Sequence, residues 1–155
     1  MSEFIIPKRY LSRGKRLDDG NMVHGYYLPR KWSFRAEENC ENVIIVPQGA
    51  SGLADLTIEI DPLTIGKCTG KPDENGALIY ESDILKITIM DSRTGKEIVS
   101  GVAPVIWNDE SFCFGVIWGN RQEFARFDNF TSTTFEIIGN LFDNPELLET
   151  DTTSA

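Results

Sequence analysis

The sequence predicts a mainly β protein, in which a hairpin-containing N-terminal lobe precedes a small SH3-like β-barrel closed by the C-terminal strand. Short stretches of alternating or β-branched apolar residues are separated by turn residues, and no long stretch has the period of an α-helix. A length of 155 residues suits one domain or two small β units. We expect the lobe at 1–70, the barrel at 77–142, and a capped helical turn with a disordered acidic tail at 143–155.

The lobe is predicted to start with a hairpin at residues 16–28. The Asp-Gly-Asn sequence at 19–21 tolerates positive φ, and strand-forming residues follow it. Residues 29–42 are polar and charged, which indicates a loop or a poorly ordered excursion. The stretch VIIV at 43–46 predicts a short strand, and LTIEID at 56–61 alternates strictly between apolar and polar residues. We therefore expect a strand there with one face in water.

The barrel is predicted to contain about five short strands joined by compact turns. The turns are KPDENG, DSRTGKE and NDE, and the strands lie in ALIYESDILKITIM, IVSGVAPVIW, SFCFGVIW and FEIIGN. Pro104 cannot donate a backbone hydrogen bond, so we expect it at an edge or a bulge. This spacing is typical of an SH3-like barrel.

The C-terminal stretch EIIGNLFDNPELLE predicts how the barrel ends. EIIG would be the closing strand, which must pair with an earlier strand to remove the free edge, and Gly139-Asn140 would form the bend. Asn144 is predicted to cap a helical turn whose first residue is Pro145. The two leucines of that turn would then cover the open end of the barrel.

The charge of this acidic protein is unevenly distributed. The net charge is −9, but residues 1–35 hold eight Lys or Arg and three acidic residues, whereas the remainder holds seven and twenty-one. Such a body repels nucleic acid except through its N-terminal segment. A basic arm on an acidic body, its own or a neighbour's, together with apolar residues near the N-terminus, favours a homo-oligomer.

The N-terminal residues resemble neither a signal peptide nor a membrane span, which predicts a cytoplasmic protein with no membrane partner. The cysteines Cys40, Cys68 and Cys113 are odd in number and widely spaced. We expect buried free thiols rather than disulfide or zinc ligands.

Four blocks of sequence occur in an order that resembles the YopX family of phage and prophage proteins. They are RGKRLDDGNMVHGYYL (13–28), IDPLTIGKCTG (60–70), DENGALIYESDIL (73–85) and EIIGNLFDNPELL (136–148). Two residues depart from the family pattern. Cys68 replaces a common aromatic, and Ser82 replaces a usual Gly, so that turn must avoid positive φ or take a slightly different geometry. The resemblance implies a phage-associated, mostly β protein with no established enzymatic role and no catalytic residues.

The residue types in the sequence also indicate that the protein is not an enzyme. His24 is the only histidine, and no carboxylate lies at a telling spacing from it. DENG and DSRTG lack the frame and ligand count of a calcium loop. We therefore expect no catalytic, metal or cofactor-binding residues and no enzyme, but a non-enzymatic protein-interaction module that binds itself or a host or phage protein.

The alternative is a nucleic-acid-binding protein that uses the basic N-terminal segment. Its candidate contacts are Arg13, Lys15 and Arg16, which could grip phosphate, and Trp107 and Trp118, which flank the NDE turn. Phe112 and Phe114 could add stacking faces. Against this, the neighbouring acidic residues would repel phosphate, and aromatic residues in short strands usually belong to the core.

Overall fold

The computed structural model describes residues 7–29, 42–47, 56–119 and 122–149. Its described part forms two antiparallel sheets of six and five strands, which confirms the mainly β class. The strands are β1 (Ser12–Lys15), β2 (Met22–Pro29), β3 (Asn42–Val46), β4 (Leu56–Glu59), β5 (Gly66–Pro72), β6 (Leu78–Tyr80), β7 (Asp83–Met90), β8 (Glu97–Asn108), β9 (Cys113–Trp118), β10 (Glu123–Arg126) and β11 (Thr133–Asn140). Short 3-10 turns cover Lys8–Tyr10, Pro62–Thr64, Phe127–Asn129 and Pro145–Leu148. The chain forms two compact units, Met1–Cys68 and Thr69–Ala155.

The strands of the first unit follow the order β4-β3-β2-β1-β5, and β5 continues past the unit boundary to lie beside β6. The predicted hairpin is confirmed, although its first strand begins at Ser12, which pairs with Gly25. In its turn, Gly20 has φ +71° and the N–H of Asn21 donates to Asp19 Oδ1 at 2.8 Å. Most of the predicted polar loop at 29–42 lies outside the described residues.

The core of the first unit depends on close contact between β1 and Ile60. Ile60 and Ile44 are fully buried, and a Cβ on Gly14 would lie only 2.7 Å from Ile60 Cδ1. Leu56 is 51% exposed although it was expected on the same face as Ile60. Among the described strands, β4 is the outer strand of this sheet and pairs only with β3.

The second unit contains the five-stranded sheet β10-β9-β8-β7-β11. Its core contains Ile79, Leu85, Ile87, Ala103, Val105, Val116 and Phe135. The last strand pairs with an earlier one as expected, since Phe135 of β11 lies opposite Ile87 of β7. Because β10 and β11 are the outer strands and no pairing between them is seen in the described residues, the SH3-like barrel stays a prediction.

Pro104 marks a change of partner along β8. Residues up to Pro104 pair with β7, whereas Val105 is the first residue of β8 to pair with β9. A residue without an N–H suits a point where one ladder ends and another begins. Pro104 therefore lies in an inner strand, where β8 changes partner, rather than at the expected edge or bulge.

The turn between β6 and β7 adopts a positive φ without glycine. Ser82 has φ +72°, so the expectation that this turn avoids positive φ is wrong. Two backbone hydrogen bonds hold the residue there: its N–H donates to Val105 O, and its carbonyl accepts from Leu141 N, both at 2.9 Å. Tertiary hydrogen bonds thus offset the local strain of a left-handed serine.

The C-terminal turn also differs from its expected form. Asn144 occupies the N-cap position and Pro145 the first helical position, but the Asn144 side chain makes no cap hydrogen bond. Its Oδ1 accepts instead from the backbone N–H of Asn140 at 3.3 Å. This backward contact fills the space beside Gly139, where a Cβ would lie 2.6 Å from the same oxygen. The expected bend at Gly139-Asn140 is not found there: both residues pair with β7, and the register of β11 shifts earlier, between Ile137 and Gly139.

A buried carboxylate joins the turn after β5 to the last strand. Asp73 is 8% exposed; its Oδ1 accepts from the N–H groups of Asn75 (3.0 Å) and Ala77 (2.9 Å), and its Oδ2 from that of Ile137 (3.2 Å). The N–H of Glu74 adds a bond to Phe135 O at 2.8 Å. Desolvation raises the pKa of Asp73, but the backbone donors, that of Ile137 foremost, lower it by more, so the pKa lies below its ordinary value.

Replacing Asp73 with Asn should destabilise the protein by about 1.5–3 kcal/mol, because a charged acceptor of backbone N–H groups is lost from a buried site. Since the folded pKa lies below the unfolded value of 3.8, this stabilisation is present above pH 3.8 and disappears as pH falls through the folded pKa. Urea unfolding at several pH values measures both effects.

Asp91→Asn is the matched control. Asp91 also accepts backbone N–H groups in a turn, those of Arg93 and Thr94, but these bonds are exposed and local. We expect a loss below about 1 kcal/mol for this variant. Equal losses for the two variants would contradict the special role of the Asp73 bond to β11.

Candidate functional site

The hairpin that joins β8 to β9 carries a group of aromatic and acidic side chains at its end. We call this group the aromatic tip; it consists of Trp107, Asp109, Glu110, Phe112 and Phe114. Trp107 lies opposite Phe114 in the ladder. The turn is locally specified, because Asn108 Oδ1 accepts from the N–H of Ser111 at 2.7 Å.

Trp107 lies on the same face of the sheet as the core residues, but closer to the end of the hairpin, where the face is exposed. Side chains alternate along a strand, so Trp107 shares its face with the buried Val105. Its ring meets that of Phe114 edge to face, with centroids 4.9 Å apart, yet 40% of the residue remains exposed. The indole N–H donates to Asp109 Oδ1 at 2.9 Å, which places a carboxylate at the edge of the exposed ring.

Phe112 is the most unusual residue of the aromatic tip. It is 80% exposed and has φ +51°, a left-handed conformation that is rare for a bulky side chain. Such a conformation costs about 1–3 kcal/mol, and exposure of the ring leaves its apolar surface in water. Neither the backbone nor the packing of this unit accounts for a phenylalanine here.

The two predicted tryptophans do not form one platform. Trp118 lies four residues beyond Phe114 along β9, a distance of about 13 Å, and packs on the core. Its ring meets Phe130 edge to face, with centroids 6.0 Å apart. The expected core role therefore describes Trp118, whereas Trp107 lies at the exposed end of the same face.

The three predicted basic residues belong to the first unit and differ in accessibility. Arg13 is 6% exposed, and Lys15 is half-buried with its backbone N–H donating to Thr64 Oγ1 at 2.8 Å. Arg16 donates to both carboxylate oxygens of Asp18, at 2.8 and 2.5 Å. That side-chain hydrogen bond holds the pKa of Asp18 below its ordinary value. A phosphate would have to compete with an intramolecular carboxylate for Arg16.

His24 faces Arg13 across the β1–β2 ladder. Desolvation, and then the positive charge of Arg13, lower the pKa of His24 below 6.5. The imidazole is therefore neutral at physiological pH.

Several residues of the sequence motifs hold backbone turns. Asp61 Oδ1 accepts from Leu63 N at 3.0 Å, and Thr64 Oγ1 donates to Asp61 O at 2.7 Å. In the C-terminal motif, Asn140 Oδ1 accepts from Phe142 N and Asp143 N, both at 3.0 Å. Like Asp73, these side chains form hydrogen bonds to backbone groups and so stabilise the turns in which they lie.

The described ranges contain neither a metal-binding cluster nor a membrane-spanning helix. There, the His, Cys, Asp and Glu side chains form no group of three or more that could hold a metal ion. Likewise, none of the helices in these ranges has the length and apolar character that crossing a membrane requires.

The sequence does not predict that Phe112 lies in the turn between β8 and β9. The sequence SFCFGVIW predicts a strand from Ser111, but β9 begins at Cys113, so Phe112 lies in the turn. The signal that could have located it is Asn108, a turn-forming residue whose side chain bonds forward to Ser111. Because Asn108 pairs with Cys113, a four-residue turn at 109–112 leaves Phe112 outside the ladder.

The model of the family described as YopX protein matches residues 16–149 of the chain. Among solved structures, the crystal structure of protein EF1440 from Enterococcus faecalis is similar at 20% sequence identity and a TM-score of 0.46, covering 88% of this chain and 96% of that one. No protein with a curated description matches the chain in sequence.

Replacing Phe112 with Asn should raise the free energy of unfolding by about 0.5–1 kcal/mol, because Asn tolerates the left-handed region and little buried surface is lost. Ile98→Asn is the control: Ile98 is 65% exposed but lies in extended strand, where Asn is disfavoured, so stability should fall. Urea unfolding measures both. A loss of stability for Phe112→Asn equal to that of the control would show that Phe112 supports the fold.

Proposed function

The chain belongs to the YopX family, and from that premise we propose that it is a phage- or prophage-encoded protein that acts by binding another protein rather than by catalysis. The observation that carries this proposal is Phe112, an aromatic side chain 80% exposed on a strained backbone. The aromatic tip is the contact surface. A bacterial cytoplasm is the proposed compartment.

The use of the motif residues supports this proposal. Asp61, Asp73 and Asn140 direct their side-chain oxygens at backbone N–H groups of their own turns. Oxygens engaged in this way build a scaffold, and function then resides on the surface that the scaffold presents. The aromatic tip is such a surface, at the end of a hairpin whose base is in the core.

The energetics of an exposed aromatic favour a protein partner. Full burial of a Phe side chain yields about 1.5–3 kcal/mol, and aromatic anchors of this kind dominate protein interfaces. The tip offers two exposed aromatic side chains, Trp107 near the end of β8 and Phe112 in the hydrogen-bonded turn that follows. Such a loop loses little entropy on binding.

Nucleic-acid binding, the alternative, has less support from the geometry. Arg13 is buried, and Arg16 is engaged by Asp18. The aromatic tip carries two carboxylates, Asp109 and Glu110, which repel phosphate.

The SH3-like barrel is part of the proposal for the second unit. Its supports are the pairing of β11 with β7 and the partner change at Pro104, since a long strand that changes partner along its length can form a corner between two sheets. The leucines of the Pro145–Leu148 turn are half-buried, and the turn contacts β8.

Photo-crosslinking tests the proposed surface. With a photoreactive phenylalanine analogue in place of Phe112, irradiation of expressing bacteria should give a covalent adduct to a protein. The control places the analogue at Leu63, which is 86% exposed and equally apolar, and should give none. Equal adducts at both positions, or adducts to nucleic acid alone, would contradict the proposal.

We also propose that the chain forms a homo-oligomer, because a basic N-terminal segment complements an acidic body. Light scattering after size exclusion should give a mass that is a multiple of 17.4 kDa. Deletion of residues 1–11 should reduce that mass. A 17.4 kDa particle at micromolar concentration, unchanged by the deletion, would end this proposal.

A further inference from the structure

We propose that the aromatic tip recognises a cationic side chain, above all an arginine, on its protein partner. This inference rests on the proposed function and names the chemistry of the partner at the same site. It follows from the charges around the tip, from the bond between Trp107 and Asp109, and from the desolvation that any partner would impose.

The charged residues of the aromatic tip are all acidic. Between Lys96 and Arg121 the sequence contains three ionisable acids, Glu97, Asp109 and Glu110, and no Lys or Arg. Two of the three acids lie in the turn itself. The turn thus carries two negative charges, Asp109 and Glu110, and the net charge of −9 adds to them.

Trp107 and Asp109 together form half of a cation-binding site. The indole N–H donates to Asp109 Oδ1 at 2.9 Å, which fixes the carboxylate beside a ring that is 40% exposed. A cation over the face of Trp is attracted by the ring quadrupole, and Trp is the strongest partner among aromatic residues. The carboxylate adds a direct ion pair at the same place.

Desolvation excludes the other partner types. A surface that covers Trp107 also removes water from Asp109, because the two side chains share a hydrogen bond. An apolar partner would leave that carboxylate buried without a counter-charge, and an anionic one would repel it. A partner that supplies a hydrogen-bonding cation satisfies both the ring and the carboxylate.

Arginine meets this requirement better than lysine. Its planar guanidinium stacks on an aromatic face while its N–H groups donate to a carboxylate in the same plane, whereas the ammonium of lysine is a compact, strongly hydrated charge. The exposed ring of Phe112 offers a second apolar surface for the arginine stem.

The test uses the full ¹⁵N-labelled chain and three capped peptides of equal length that alternate glycine with arginine, lysine or glutamate. The indole N–H signal of Trp107 is assigned with Trp107→Phe. We expect the arginine peptide to shift this signal saturably, the lysine peptide to bind more weakly, and the glutamate peptide to have no effect.

Charge removal at the tip provides the decisive comparison. Asp109→Asn with Glu110→Gln should weaken arginine-peptide binding by about tenfold or more. The control, Glu123→Gln with Asp128→Asn, removes the same charge from exposed residues at β10 and the turn after it, and should change the affinity less than about twofold. Circular dichroism checks that both variants fold.

Equal responses to the arginine and glutamate peptides, equal effects of the two double variants, or an equal shift with oligo(dT) would overturn the inference. The proposed function fails separately. If the analogue at position 112 still crosslinks to a protein while the arginine peptide has no effect, the interaction surface stands and only its cationic partner is wrong. If no protein adduct forms there, the proposed function itself falls.

Discussion

The second unit depends on the bonds that Asp73 makes to backbone N–H groups on two sides. On one side its carboxylate closes the turn after β5 through Asn75 and Ala77; on the other it holds Ile137 of β11, 64 residues further along the chain. This attachment keeps β11 next to β7 and puts Phe135 into the core. One side chain thereby couples a local turn to the strand pairing that covers the apolar face.

In this protein the polar side chains of the sequence motifs stabilise turns, whereas the unusual exposed aromatic side chains lie at the end of one hairpin. Ser82 and Phe112 illustrate the difference, since both have positive φ without being glycine. Ser82 is held by backbone bonds to Val105 and Leu141, so its conformation belongs to the fold. Phe112 exposes its ring, so its strain serves no packing that the unit displays. The distinction separates scaffold from surface.

Local patterns in the sequence predicted much of the fold. The Asp-Gly-Asn turn, the strand at 43–46 and the strand in ALIYESDILKITIM each follow from preferences of neighbouring residues, and these elements are present in the folded chain. The burial of Arg13 and the bond from Asp73 to Ile137 depend on residues distant in sequence. Periodicity contains no information about such contacts, and a boundary error of two residues sufficed to hide Phe112.

The long separation between Asp73 and its last donor also has a consequence during synthesis. At 5–20 residues per second, about 3–13 s pass between the translation of Asp73 and that of Ile137. During this interval the turn at Asp73 can form. Strand β7 can pair with β8, but its other edge stays unpaired until β11 is synthesised. An open edge next to an uncovered apolar face is where nascent chains pair with one another. The last strand to leave the ribosome is therefore the one that protects the unit from aggregation.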